Sequence, residues 1–180
     1  MSRKLERIRD VAIEGNPALA LTELATILAA DPGDVEALRL KGNILEMRAL
    51  NRAQYTADKL LRSRDYVAAR ACYESILAID KDNTLALIDM GDHFRNLGAL
   101  EQALGYYEQA IDRLSKGRCS WSRREEMVEA FGQAIELYRQ LGKESDVVRL
   151  MTQRRRLVHR MRSRRNRDLS RRSSAERGRH

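Results

Sequence analysis

A self-similarity with a 34-residue period is the feature that most constrains the fold of this chain. Ala69 and Tyr73 recur at the same spacing as Ala103 and Tyr107, and the turn at 31–32 closes a third copy upstream. Each copy is a short amphipathic helix preceded by another, so the repeating unit is a helix-turn-helix. One such pair cannot bury its apolar face alone, and stacking of successive pairs builds a shared core. The pattern predicts an all-α fold, a short α-solenoid, which offers a surface for partners more often than a catalytic cleft.

The best copy, residues 84–117, resembles the tetratricopeptide repeat family. In that family, small residues let the two helices of a pair approach closely, and aromatic residues fill the space between pairs. Only the family's proline is missing, with Ser115 in its place. The residues that carry the resemblance are Leu87, Met90, Gly91, Phe94, Gly98, Ala103, Tyr107 and Ala110.

Three further pairs are expected, at 1–34, 35–83 and 121–162, the last of them a degenerate cap. In the first pair, Gly15 marks the end of one helix, and Asn16 followed by Pro17 predicts the start of the next.

The second pair holds an insertion. Gly15 and Gly98 lie 83 residues apart, 15 more than two repeats, and no Gly or Pro interrupts 43–64. The spacing predicts one overlong first helix of about 28 residues, roughly 42 Å long, between Asp34 and Arg64; a break near Asn51 is the alternative. A protruding amphipathic helix must bury its apolar face, either against the C-terminal helices or against a second chain. A second copy would make the protein a self-assembling dimer, with a face formed by Leu45, Ala49 and Leu60.

Positive charge is concentrated at the C-terminal end. Residues 153–180 contain 12 Arg and 2 acidic residues, a net charge of +10, whereas the whole chain carries +8. The helical period continues to Met161 and is lost beyond Arg164. We therefore predict a repeat domain over 1–152, followed by an arginine-rich helix end and a disordered tail over 153–180.

Arginines without internal acidic partners favour an external anion, which can be a nucleic acid, an acidic protein surface or anionic lipid. A solubilising end without a binding role is the alternative interpretation. No aromatic residue lies among the arginines, which argues against a base-stacking platform. The arginines expected to contact the anion are Arg154, Arg155, Arg156, Arg160, Arg162, Arg164 and Arg165.

The resemblance also implies a concave groove lined by the first helix of each pair, in which a protein or peptide would bind. Ordinary solvated polar residues are the alternative. Some members of the family bind a C-terminal carboxylate through a Lys/Arg–Asn clamp, but Asp89 and Leu85 stand where the second half of that clamp is required. The groove residues expected here are Arg39, Asn43, Glu46, Met47, Ile88, Asp92, Arg95 and Asn96.

Catalytic, metal and cofactor sites are not expected. Asp89 and His93 share a helix face, but no third ligand accompanies them, so we expect that face to be exposed to solvent. The two cysteines lack metal-ligand spacing, and no apolar run reaches the length of a membrane span. The sequence predicts a cytoplasmic, non-enzymatic scaffold or adaptor that binds a protein in its groove and an anionic partner at its C-terminal end. A nucleic-acid-associated protein that binds through the arginines is the alternative function.

Overall fold

Helices joined by short turns make up the part of the chain that the structure, a computed structural model, describes. It describes the backbone of residues 2–52, 59–60, 63–116 and 123–177, and the side chains of these ranges except Arg52 and 168–177. No strand occurs among these residues, and the predicted all-α class is confirmed. The helices are α1 (Arg3–Ile13), α2 (Pro17–Ala30), α3 (Val35–Arg52), α4 (Arg64–Ile79), α5 (Thr84–Asn96), α6 (Leu100–Lys116), α7 (Arg124–Gln140) and α8 (Glu144–Arg177).

Local sequence signals set the helix boundaries. The side chain of Asn16 accepts a hydrogen bond from the Leu19 amide at 3.2 Å, and Pro17 is the first residue of α2, as predicted. Gly98 follows α5 and Gly142 follows α7, with φ angles of 74° and 68°. This left-handed conformation, which glycine adopts without steric cost, ends the first helix of both pairs in the same way.

The predicted overlong helix can be followed only in part. Helix α3 starts at Val35 and is described as far as Arg52, and the segments 53–58 and 61–62 lie outside the described residues. A continuous helix from Val35 to beyond Leu60 therefore stays a prediction.

Residues Met1–Tyr106 form one compact unit. In it, α1 packs against α2, α3 against α4, and α4 against α5. The first helices of successive pairs also touch, α1 with α3 and α3 with α5. Fully buried side chains such as Ile8, Leu24 and Ile76 form its core. Because the first helices are neighbours, α3 and α5 together form a continuous wall.

Residues Tyr107–His180 form a second compact unit, which holds most of α6 together with α7 and α8. The division differs from the predicted boundary after residue 152, since α8 runs through that point without a break. The prediction of disorder beyond Arg164 is wrong for the residues up to Arg177, which continue α8. No Gly or Pro interrupts the helix, and arginine has good intrinsic helix propensity, so the loss of an apolar stripe did not end it.

Helices α3 and α4 approach closely at Gly42. A Cβ atom built on this glycine would lie 2.5 Å from Cε1 of the Tyr73 ring, a distance that real contacts do not reach. Tyr73 is fully buried and cannot move aside without disturbing its neighbours. The close packing of α3 against α4 therefore requires glycine at position 42.

Gly42→Ala should destabilise the protein by about 1–3 kcal/mol, because the added methyl group overpacks a filled interface. The measurement is the free energy of unfolding in urea. Gly105→Ala in α6 is the matched control, since its Cβ would meet nothing within 4 Å, and alanine there should be neutral or stabilising by up to about 1 kcal/mol. Equal stability of the two variants would contradict the close approach.

Candidate functional site

A cluster of buried polar side chains lies behind the wall formed by α3 and α5. Among the described residues, the buried polar or charged side chains are Glu46, Thr84, Asp89 and His93. Glu46 lies on α3, and Asp89 and His93 lie on α5. Buried charges require partners, and the partners of these residues determine what the wall can present.

Asp89 is paired with Arg39 across the two helices. Arg39 Nε lies 2.5 Å from Asp89 Oδ2, and Arg39 Nη2 lies 2.9 Å from Oδ1, a bidentate geometry. Burial raises the pKa of the Asp89 carboxyl, while the Arg39 guanidinium acts in the opposite direction. The Arg39 guanidinium, which would form half of a clamp for a partner's C-terminal carboxylate, is therefore bonded to Asp89 of the same chain.

Glu46 is the centre of the second group of contacts. The Tyr73 hydroxyl lies 2.9 Å from Glu46 Oε2, and Asn96 donates from Nδ2 to Oε1 at 3.2 Å. Nδ1 of His93 lies 3.4 Å from the same Oε1. Burial and the neighbouring Glu46 raise the pKa of the Tyr73 hydroxyl, so Tyr73 keeps its proton at neutral pH and acts as a donor. One carboxylate therefore connects α3, α4 and α5.

Two tyrosines of α4 support the wall from behind. The ring of Tyr66 stacks on the imidazole of His93 with 3.9 Å between the ring centres, and its hydroxyl donates to the His93 carbonyl oxygen at 2.5 Å. The Tyr73 hydroxyl also lies 2.9 Å from Oδ1 of Asn43.

The expectation that Asp89 and His93 lie on a solvent-exposed helix face is wrong, because their relative exposures are only 8% and 2%.

The predicted groove residues divide into surface and interior positions. Ile88 and Glu46 are buried, because they face neighbouring helices in the packed pair, and they are not accessible to a partner. Asn43 is exposed. The remaining predicted residues are half-buried: Arg39, Met47, Asp92, Arg95 and Asn96.

The proposed dimer face is covered within a single chain. Leu45, Ala49 and Leu60 have relative exposures of 6%, 1% and 2%. Ala49 and Leu60 belong to one apolar cluster with Tyr66. These three side chains therefore form no exposed apolar face on which a second copy could pack.

The predicted arginines all lie on α8, where Arg154 is half-buried and the others are exposed. The start of this helix is anchored within the second unit. The Tyr138 hydroxyl donates to Glu108 Oε1 at 2.6 Å, and Arg149 Nη2 lies 3.1 Å from the same oxygen. Burial and Glu108 raise the pKa of Tyr138 to about 12. The anchor fixes α8 relative to α6 and α7 before the arginines begin.

Within the described ranges, no three His, Cys, Asp or Glu side chains are grouped so that they could hold a metal ion. None of the described helices is both long and apolar enough to cross a membrane.

The sequence model of the tetratricopeptide repeat matches residues 56–118, which include all of α4, α5 and α6. This stretch of the chain is similar to tetratricopeptide repeats. Repeats of this family act in general as protein–protein interaction scaffolds and are typically non-catalytic. The buried cluster described above lies on these repeats and on the helix before them.

Solved structures with similar folds include a crystal structure of MamA, with 16% sequence identity, coverage of 86% of this chain and 95% of that chain, and a TM-score of 0.43. A second is MamA, residues 41 to the end, from Desulfovibrio magneticus RS-1, with 15% identity, coverage of 88% and 97%, and a TM-score of 0.42. Likeness at this level says nothing about function. No curated protein sequence matches the chain.

The polar cluster behind the wall was not predicted from the sequence. Tyr66 and Tyr73 occupy buried positions where phenylalanine would fill the same space. A buried tyrosine hydroxyl usually has a hydrogen-bond partner. The presence of tyrosine rather than phenylalanine at these positions of α4 therefore indicates that α3 and α5 direct polar side chains into the interior.

Tyr73→Phe should lower the free energy of unfolding by about 1–2 kcal/mol, because the buried Glu46 carboxylate loses a donor. Urea unfolding monitored by circular dichroism provides the measurement. Tyr106→Phe in α6 is the control, since its ring stacks on Phe94, and removal of its hydroxyl should change stability by less than about 0.5 kcal/mol. A Tyr73→Phe protein as stable as this control would refute the role given to Glu46.

Proposed function

We propose that the chain is a non-enzymatic scaffold that binds a peptide segment of a partner protein on the wall formed by α3 and α5. In this proposal, the arginines of α8 contact a second, anionic partner. The observation that carries the first part is the fixed orientation of two side-chain amides, Asn43 and Asn96, by the buried cluster.

The orientation of these amides suits a peptide backbone. The Tyr73 hydroxyl shares its single hydrogen between Oδ1 of Asn43 and Oε2 of Glu46, each 2.9 Å away, and Nδ2 of Asn96 donates to Oε1 of Glu46. Nδ2 of Asn43, a donor, and Oδ1 of Asn96, an acceptor, remain for a ligand. An extended peptide offers the complementary pair, a carbonyl oxygen and an N–H group. Side chains held in place before binding lose little entropy when a peptide arrives, which favours affinity.

The second part of the proposal is supported by the exposure of the arginines on α8 and by the absence of acidic residues between Asp146 and Asp168. An external anion would relieve the repulsion between like charges at i and i+4 along the helix.

Substitution of both wall amides, Asn43→Ala with Asn96→Ala, should remove the peptide partner while the fold is retained. The measurement is affinity capture of proteins from a nuclease-treated lysate, quantified by mass spectrometry against the wild-type chain. We expect one set of proteins to fall by at least about tenfold, since two hydrogen bonds of about 1 kcal/mol each are lost.

The matched control removes two exposed amides outside the wall, Gln102→Ala with Gln140→Ala, and should keep the same proteins. Thermal unfolding of both variants checks that each is folded. Equal capture by the folded wall variant and by the control would rule out the wall as the peptide site.

A further inference from the structure

Helix α8 consists of two parts with different surroundings. Val147, Leu150, Leu157 and Met161 form a buried stripe in the part that packs against α7. After Met161, every described side chain as far as Arg167 is exposed except that of Ser163, which is half-buried. The helix nevertheless continues to Arg177. Residues 162–177 therefore extend for about 24 Å, at 1.5 Å per residue, and the described side chains of this stretch form no buried stripe.

Six arginines of α8 differ in their partners from Arg149 at the start of the same helix and from the paired arginines of other helices. Arg39, Arg48 and Arg70 each form an ion pair with a carboxylate on a described residue. Across the described residues, no carboxylate lies within ion-pair distance of six arginines of α8. These six are Arg154, Arg155, Arg156, Arg160, Arg162 and Arg164.

The exposed arginines point in more than one direction from the helix axis. At 100° per residue, Arg162 and Arg164 lie about 160° apart, on opposite flanks of the helix. Arg167 lies about 60° from Arg164, on the same flank as Arg164. A bilayer, or an acidic helix packed alongside, contacts a helix from one side only and would leave one flank in water.

The groove of a nucleic acid duplex presents phosphates on two sides of an inserted helix. The major groove of B-DNA is about 12 Å wide and admits an α-helix, whereas the major groove of duplex RNA is too deep and narrow. Between Arg162 and Arg177 only Leu169 and Ala175 are apolar, so this stretch would gain little from a lipid surface or an apolar peptide groove.

We propose that the part of α8 beyond Met161 lies in the major groove of double-stranded DNA and is held by contacts between its arginines and phosphates on both groove walls. The proposal rests on the anionic partner of the proposed function and names its chemical class. It concerns phosphate contacts and shape and assigns no base preference.

The test measures binding of the full chain to a fluorescein-labelled 24-base-pair DNA duplex by fluorescence anisotropy, over a series of NaCl concentrations. The logarithm of the association constant should fall linearly with the logarithm of the salt concentration. Arg162→Gln with Arg164→Gln and Arg167→Gln should weaken binding at least tenfold and reduce the slope by about 2 to 3, since each lost phosphate contact contributes about 0.9. The control, Arg3→Gln with Arg64→Gln and Arg139→Gln, removes three exposed arginines elsewhere and should change neither quantity.

Two comparisons test the groove itself. The DNA duplex should bind at least tenfold more tightly than an RNA duplex of the same sequence, and saturating protein should protect guanine N7, a major-groove atom, from methylation by dimethyl sulfate. Equal affinity for RNA, unprotected N7 atoms, or equal loss in the control variant would overturn the proposal.

Binding of the chain to poly-L-glutamate, measured in the same way, distinguishes failure of the DNA proposal from failure of the proposed function. Binding of this polymer through the same three arginines, without binding of DNA, would overturn the DNA proposal and leave an acidic protein as the anionic partner. Failure to bind either polymer would overturn both the DNA proposal and the anionic half of the proposed function. The capture experiment with the wall variant is independent of these outcomes.

Discussion

The close contact between Gly42 and the ring of Tyr73 is the constraint on which the wall of α3 and α5 depends. It sets the separation of α3 and α4, and that separation brings the Tyr73 hydroxyl to Glu46 and Asn43. A larger residue at Gly42 would displace the ring and with it the hydroxyl. The absence of a side chain at Gly42 therefore sets where the Tyr73 hydroxyl lies relative to Asn43 and Glu46 on α3.

The buried carboxylates behind the wall fix how the helices are aligned more than they add to the free energy of unfolding. Removal of Asp89 and Glu46 from water is costly, and their pairing with Arg39, Tyr73 and Asn96 offsets that cost without a large surplus. Each pairing is directional, so helices that carry these residues fit together in one register. The wall can consequently present fixed hydrogen-bonding groups, as a surface of freely rotating side chains could not.

Much of this fold can be read from the sequence, because its signals are local. Asn16, Pro17 and Gly98 mark helix ends through backbone conformations that depend on their own side chains. Pairing across helices is not local. Asn43 and Glu46 are less than one turn apart on α3, yet Asn43 is exposed and Glu46 is buried, because the packing of the neighbouring helices decides which side of α3 is covered.

The C-terminal helix shows the opposite error. The loss of the apolar stripe beyond Arg164 predicts disorder only if a helix requires such a stripe. Intrinsic propensity without Gly or Pro is enough to continue a helix whose first half is already fixed by packing. The helix at Arg164 forms without a buried face, whereas the charged side chain of Asp89 is buried, so the apolar pattern predicts neither.

The two parts of α8 owe their helical structure to different forces, and added salt acts on these forces with opposite results. Up to Met161 the helix is stabilised by apolar contact, which moderate salt leaves nearly unchanged. Beyond it, repulsion between arginines opposes the helix, and counterions screen that repulsion. Rising ionic strength should therefore make the exposed end more helical while it weakens attraction to a polyanion. The helical content of this segment and its affinity for a partner are separate properties, and one cannot be used as a measure of the other.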